Sequence, residues 1–295
     1  MNFLREQDSA LPFVSIVVIT LNRKKRLVNC LNSLFNLNYP QSKFNIVVVD
    51  GGSNDGTREI VIEEYPKVDF VIERRRGMAY ARNTGWKHAR GEVIAYTDDD
   101  CIVDSNWLRR LVYSLNSTGA ASAGGPLIYV HQDLIPPIFN GTPVGPFNLG
   151  EKERPLKIHE NLITANIAVR SDVFKRVQFF ESLVFNDSED SEFCKSLMEV
   201  GYKLIYVPDA KVYHDIELKR ITLGYLLKRA FFSGLSMYIV ERKRKSKLKL
   251  IPQFLRASID GYINFMYMRK LAEFYWTFKC FVAFLSSVIL IPIWG

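Results

Sequence analysis

The sequence predicts an α/β domain, with a mostly parallel sheet flanked by helices, followed by a helical appendage of different character. Three observations carry this expectation. The β-branched runs at 14–20 and 44–49 have the composition of strands buried on both faces. They alternate with amphipathic stretches at helical spacing, which is the pattern of βαβ units. Beyond residue 218 the charge balance and the apolar content both change sharply.

The elements follow in order. Val14-Ser-Ile-Val-Val-Ile-Thr20 is the first strand, and Leu21-Asn22-Arg23 leads from it into a helical pattern through Leu27, Cys30, Leu31, Leu34 and Phe35. Asn38-Tyr39-Pro40 ends that helix, because proline cannot extend it. The second strand, 44–49, closes on the glycine-rich turn Asp50-Gly-Gly-Ser-Asn-Asp-Gly-Thr57. A helix over 57–64 and a third strand over 68–72 come next. Arg74-Arg-Arg-Gly-Met78 then opens a helix that carries Ala81, Arg82, Asn83 and Trp86. Val93 to Tyr96 is a short buried strand that runs out into Thr97-Asp98-Asp99-Asp100-Cys101.

The second half is less regular. Residues 107–115 have a helical pattern, and 119–149, rich in Gly and Pro, is expected to include a mobile loop. A strand over 163–169 precedes a short helix over 171–177. The acidic cluster Asn186-Asp187-Ser188-Glu189-Asp190-Ser191-Glu192 is expected to cap a helix over 193–200. Short strands over 203–207 and 212–214 complete the domain.

From residue 218 onward the chain is basic and apolar. Residues 219–256 hold 11 Lys and Arg against one Glu, while 1–218 are slightly acidic, with 25 basic and 28 acidic residues. Basicity confined to the far end argues against nucleic acid as a partner, since such a site would gather cations and stacking aromatics around itself. It suits an anionic membrane surface instead. Residues 274–294 contain one charge, Lys279, with Phe274, Tyr275 and Trp276 at one end and Trp294 at the other. Such a stretch can cross a bilayer as one helix, lie in its interface, or be one of a pair of buried helices.

Cys30, Cys101, Cys194 and Cys280 are scattered, with neither disulfide nor zinc spacing, which fits a reducing compartment. Residues 1–12 are polar and carry no signal-peptide core, so a cytosolic catalytic part is expected. The triplets at Asn116, Asn140 and Asn186 match a glycosylation pattern that has no meaning in that setting.

The three consecutive aspartates are the chemical centre of the chain. Ligands of open α/β sheets bind at the carboxyl ends of strands, where Asp98, Asp99 and Asp100 emerge. By strand alternation Asp98 and Asp100 share one side, giving hard oxygen ligands suited to Mg²⁺ or Mn²⁺. An acidic loop without function remains the plain alternative. Asp50 can accept a hydrogen bond at its strand end, and Asp55 fits a turn and helix cap.

Together these motifs resemble the family 2 glycosyltransferases, inverting enzymes of GT-A fold. The resemblance covers about residues 12–215 and rests on Val14–Arg23, Val49–Thr57, Ala81-Arg82-Asn83-Thr-Gly85, Thr97–Asp100 and Glu189-Asp190, in that order. It implies a catalytic domain over 12–217, with a nucleotide-binding half at 12–103 and an acceptor half at 104–217, preceded by a tail at 1–11. The region 218–295 is then a membrane-associated appendage on the cytoplasmic face. By the same resemblance Thr20, Asn22, Asp50, Arg82, Asn83, Asp98 and Asp99 serve the nucleotide-sugar donor, and Asp100 holds the metal with His214. Asn166 and Glu189 lie on the acceptor side, and Asp190 is the general base, with Asp187 as its rival. A cap role for Asp190, a surface ion pair for Arg82 and a structural role for His214 are the competing readings. The chain lacks Gln-x-x-Arg-Trp, carried by processive synthases of the family, so single transfer to a glycan or lipid-linked acceptor is expected. A polyprenyl-phosphate acceptor is one alternative; as an ionised phosphate it needs no base. A non-catalytic nucleotide-sugar-binding membrane protein is the other.

Overall fold

A computed structural model of the chain describes residues 11–131, 133, 136, 139, 146–181, 189–244, 252, 255–256, 258 and 271–289. The chain divides into two compact units. The first gathers the described residues of 1–130, 147–181 and 189–215, and the second those of 131–146 and 216–295.

The first unit contains strands β1 (Val14–Thr20), β2 (Phe44–Asp50), β3 (Val68–Ile72), β4 (Val93–Asp98), β5 (Cys101–Val103), β6 (Ser122–Gly124), β7 (Leu127–Tyr129), β8 (Arg154–Pro155), β9 (Ile167–Arg170), β10 (Leu204–Tyr206) and β11 (Val212–His214). Its helices are α1 (Lys24–Phe35), α2 (Thr57–Glu64), α3 (Met78–His88), α4 (Trp107–Thr118) and α5 (Glu189–Glu199). Eight strands form one sheet in the order β3-β2-β1-β4-β9-β6-β10-β8. β3, β2, β1 and β4 are parallel, β9 runs against both β4 and β6, and β10 is parallel to β6. This is the expected α/β architecture.

Burial explains the layering. Every residue of β2, and all of β1 except the half-buried Ile19, is buried, as a sheet covered on both faces requires. On one face Val14, Ile16 and Val18 pack with Leu27, Leu31 and Leu34 of α1, Val61 of α2 and Trp107, Leu111 and Leu115 of α4. On the other, Val17, Val47, Val49 and Tyr96 pack with Ala79 of α3, Phe174, and Phe193 and Leu197 of α5. Each Val, Ile, Leu or Phe among them contributes ~1.5–3 kcal/mol on full burial. α3 lies so close to β1 that a Cβ on Gly85 would stand 2.3 Å from Val17 Cγ1.

The register fixes the site. Thr20 pairs with Asp50 across β1 and β2, and Ile19 pairs with Asp98 across β1 and β4, so these strands end side by side. Just beyond, β5, β11 and β7 form a small separate sheet in which His214 is opposite Cys101 on one side and Tyr129 on the other.

Several elements differ from the sequence reading. The expected loop at 119–149 contains β6 and β7, too short and too poor in alternation to be recognised. The expected strand 163–169 is a 3-10 turn at Thr164–Asn166 followed by β9, and 171–177 is a 3-10 segment at Ser171–Lys175. Helix α5 begins at Glu189 rather than after the acidic cluster, so Glu189, Asp190 and Glu192 form its first turn. Asp187 lies outside the described residues.

The second unit contains α6 (Leu223–Arg244) and α7 (Leu271–Ile289). They meet at Gly234, where a Cβ would fall 2.5 Å from the Lys279 carbonyl oxygen and 2.8 Å from Val282 Cβ. The expected span 274–294 is corrected in extent: α7 starts at Leu271 and takes in Glu273, and 290–295 lie outside the described residues. Among the described residues no helix is long and apolar enough to cross a membrane, because Glu273, Thr277, Lys279 and two serines dilute the apolar run.

Candidate active site

The loop after β1 builds the first wall. Asn22 adopts a left-handed backbone, φ 53°, which its short polar side chain tolerates. Its N–H donates to Ser53 Oγ at 2.7 Å and its Oδ1 accepts from the Asn54 N–H at 2.9 Å. Asp50 turns back on the same loop, accepting the Gly52 and Ser53 amides at 3.1 and 2.8 Å as well as the Ser53 hydroxyl. Asp55 accepts the Lys24 amide at the start of α1 and the Thr57 amide of α2, so one carboxylate closes two helix ends. Those bonds lower its pKa against the opposing effect of desolvation. Asn22 and Asp50 thus brace the loops that follow β1 and β2.

The three aspartates at the end of β4 do not alternate as expected. The strand ends at Asp98, and the chain then turns through Asp99 and Asp100. Asp98 faces Arg82, whose Nη2 is 3.4 Å from its Oδ1. Asp99 and Asp100 both face Arg23, whose Nη1 stands 2.9 Å from Asp99 Oδ1 and 3.0 Å from Asp100 Oδ2. Thr20 Oγ1 donates to Asp99 Oδ2 at 2.8 Å. The reason is geometric: alternation holds only while the backbone stays extended. Burial pushes Asp99 up to about 6, with Arg23 opposing and Asp100 reinforcing the shift. Asp98 is also raised by burial, partly offset by Arg82.

Asp100 and His214 come together as expected. His214 Nε2 lies 3.1 Å from Asp100 Oδ1, and with Cys101 their donor atoms fall within 4.8 Å of one another. Cis ligands of a six-coordinate ion bound at ~2.1 Å stand about 3 Å apart, so the carboxylate and imidazole are spaced to share one Mg²⁺ or Mn²⁺. Among the described residues, His214 Nδ1 is buried and has no hydrogen-bond partner. The carboxylate oxygen is a hard ligand of the kind that Mg²⁺ and Mn²⁺ take. Arg26 Nη1 is 3.7 Å from Asp100 Oδ2, and Arg26 Nη2 is 3.7 Å from Asp215.

The third wall is α5. Arg82, almost fully buried, places Nη1 2.6 Å from Glu189 Oε1 and keeps its charge because Glu189, Asp190 and Asp98 outweigh the desolvation of its guanidinium. Beside it Asp190 is half-buried and accepts a hydrogen bond from Thr164 Oγ1 at 2.5 Å. Burial, then the neighbouring Glu189, push Asp190 up to about 7 despite Arg82 and Thr164. The helix N-terminus favours the anion, but desolvation and the second carboxylate win.

Two expected site residues are used elsewhere. Asn166, expected on the acceptor side, is fully buried; its Nδ2 donates to the Pro126 and Ala210 carbonyls at 2.9 and 2.7 Å, and its Oδ1 accepts from Trp107 Nε1 at 2.7 Å. It clamps α4 and the backbone flanking β7 and β11. Asn83 donates to the Phe179 carbonyl and Glu181, and accepts the Phe179 amide, so it anchors the segment before α5 rather than a ligand. Arg23, Arg26, Cys101 and Thr164 were not singled out from the sequence. Arg23 and Arg26 had one usable signal, their position just after the end of β1; Cys101 and Thr164 had none, because pairing across distant elements brings them in.

Glycosyl transferase family 2 matches residues 15–177 of the chain. The glycosyltransferase AglE of Haloferax volcanii is 32% identical over 235 residues, 77% of this chain and 73% of that protein. The glucosyl-dolichyl phosphate glucuronosyltransferase of the same organism is 25% identical over 246 residues, covering 77% of each. The mannosyltransferase PcManGT of Pyrobaculum calidifontis, solved with GDP-Man and Mn²⁺, superposes with a TM-score of 0.59 and 21% identity over 98% of this chain and 77% of that one, a likeness of fold. With that match over more than half its length, on the fold and strand-end carboxylates described above, the chain belongs to glycosyl transferase family 2 and is a glycosyltransferase.

Proposed function

We propose that the chain moves a sugar, with inversion, from a nucleoside-diphosphate sugar to a hydroxyl of a lipid-linked or cell-surface glycan at the cytoplasmic face of a membrane. The observation that carries this reading is Asp190: a half-buried carboxylate pushed to about 7, held by Thr164 and placed next to the Arg82–Asp98 ion pair. A sugar hydroxyl is a weak nucleophile, and a base with a pKa near the working pH is what its activation needs. Asp190 takes the hydroxyl proton as that oxygen bonds to the anomeric carbon and the bond to the diphosphate breaks. One displacement inverts the centre.

Asp100 and His214 are the residues that would hold a divalent cation, which when bound stabilises the charge that develops on the leaving diphosphate. Arg82 and Asp98 orient the donor, and Thr20 holds Asp99 in place beside them. The basic, apolar region after 218 supports attachment to an anionic surface. The name of the glucuronosyltransferase relative supports a lipid-linked acceptor.

The test is a donor screen by thermal stabilisation, one nucleotide sugar at a time, with and without Mn²⁺. One donor is expected to stabilise the protein, and more so with the ion; no response to any donor would overturn the reading. In the same assay Asp190→Asn should still bind that donor but lose transfer. An active variant would redirect the reading to a phosphate acceptor, which needs no base.

A further inference from the structure

Asp100 offers its two oxygens to different neighbours. Oδ1 is 3.1 Å from His214 Nε2, whereas Oδ2 is 3.0 Å from Arg23 Nη1 and 3.7 Å from Arg26 Nη1. The same Arg23 nitrogen is 2.9 Å from Asp99 Oδ1. The side chains of Asp99 and Asp100 keep only 4% and 2% of their exposure, while Arg23 keeps 27%. Two adjacent carboxylates at such depth repel strongly, and a guanidinium between them relieves it. Arg23 stands at the N-terminus of α1, just past the end of β1, and the pairing of β1 with β4 brings it to the aspartates.

This arrangement has a consequence for cation binding. One oxygen faces the imidazole, and the other faces arginine. A dication on Oδ1 would therefore sit one carboxylate away from a fixed positive charge. That repulsion crosses a poorly hydrated path and is weakly screened by salt. A diphosphate changes the balance, because its charge attracts the ion and the exposed part of Arg23 together.

We infer that Arg23 is a tethered countercharge of the metal site. It keeps the aspartate pair satisfied in the absence of an ion, weakens the hold on a bare ion, and couples ion binding to diphosphate binding. By reciprocity the ion must then strengthen diphosphate binding by the same factor. Arg23 is a positioning residue in this scheme, acting through Asp99 and Asp100. The inference rests on the proposed assignment of the cation to Asp100 and His214.

The test follows Mn²⁺ binding to the full chain by loss of the free-ion electron paramagnetic resonance signal, alone and with UDP or GDP, correcting for ion held by nucleotide in protein-free solution. In the native protein the nucleotide that binds should tighten Mn²⁺ at least about tenfold; equal affinity with and without nucleotide overturns the inference even with no variant in hand. Arg23→Gln should bind bare Mn²⁺ at least about tenfold more tightly than the native protein, and its nucleotide-dependent gain should shrink accordingly. Arg23→Lys, which keeps the charge, should bind bare Mn²⁺ within about threefold of the native protein, separating charge from shape. Asp100→Asn tests the underlying assignment. If it binds Mn²⁺ as the native protein does, the cation lies elsewhere and both readings fall. If it loses the ion while Arg23→Gln gains nothing, this inference alone falls and Arg23 is a structural ion pair.

Discussion

Arg82 and Glu189, 107 positions apart in the chain, form an ion pair of 2.6 Å with side-chain exposures of 2% and 5%. The pair ties α3 to the first turn of α5 and so sets the distance between Asp98 and Asp190. Arg82→Met should destabilise the domain by ~3–5 kcal/mol, because it strands Glu189 as a buried charge. Adding Glu189→Leu should recover most of that loss. Urea denaturation of the single and double variants measures both, and additive losses would show that the pair does not act as a unit.

Asp190 makes activity and stability move in opposite directions with pH. As a base it must be deprotonated, so the transfer rate should rise through about pH 7 and level off above it. Its folded pKa lies above the ordinary carboxylate value, so between about pH 4 and pH 7 the folded chain binds more protons than the unfolded one and Asp190 costs stability as pH rises. Asp190→Asn should accordingly raise the melting temperature at pH 8 relative to the native protein and leave it nearly unchanged at pH 4. Its residual transfer should fall ~10²–10⁴-fold.

Asn166 holds Trp107 and two backbone carbonyls at once. Asn166→Ala leaves the indole N–H and both carbonyls buried without partners, at ~1–3 kcal/mol for each group that water cannot reach. A loss of ~3 kcal/mol is expected, with donor binding retained at temperatures where the variant is folded. Full stability together with lost transfer would instead return Asn166 to the acceptor side.

The basic stretch that begins in the last turn of α6 should drive membrane attachment. Replacing Arg242, Lys243, Arg244, Lys245, Lys247 and Lys249 by Gln should weaken sedimentation with vesicles containing phosphatidylserine, at about 1 kcal/mol per charge that reaches the surface. Binding to neutral vesicles should change little. Equal binding of native and variant chains to anionic vesicles would remove electrostatics from the account.

Much of the fold was legible because β1 to β4 are mostly apolar and longer than the strands that follow them, and α1 and α4 are strongly amphipathic. The strands β5 to β8 are two or three residues each, too short for any period to register. The candidate site was legible where chemistry is local. Asp98 to Asp100 and Glu189-Asp190 are carboxylate clusters that announce themselves in the sequence. What each carboxylate faces was not legible, since Asp99 leaves the strand alternation one residue past the end of β4.

Local composition settles the class of sheet, the position of the acidic strand end and the basic character of the C-terminal region, because these depend on neighbours within a few residues. Tertiary structure alone decided that Arg23 bridges Asp99 and Asp100, that Cys101 lies opposite His214, and that Thr164 reaches Asp190. Those contacts join segments separated by tens of residues or more. Their partners are selected by strand order and register, which local composition does not encode.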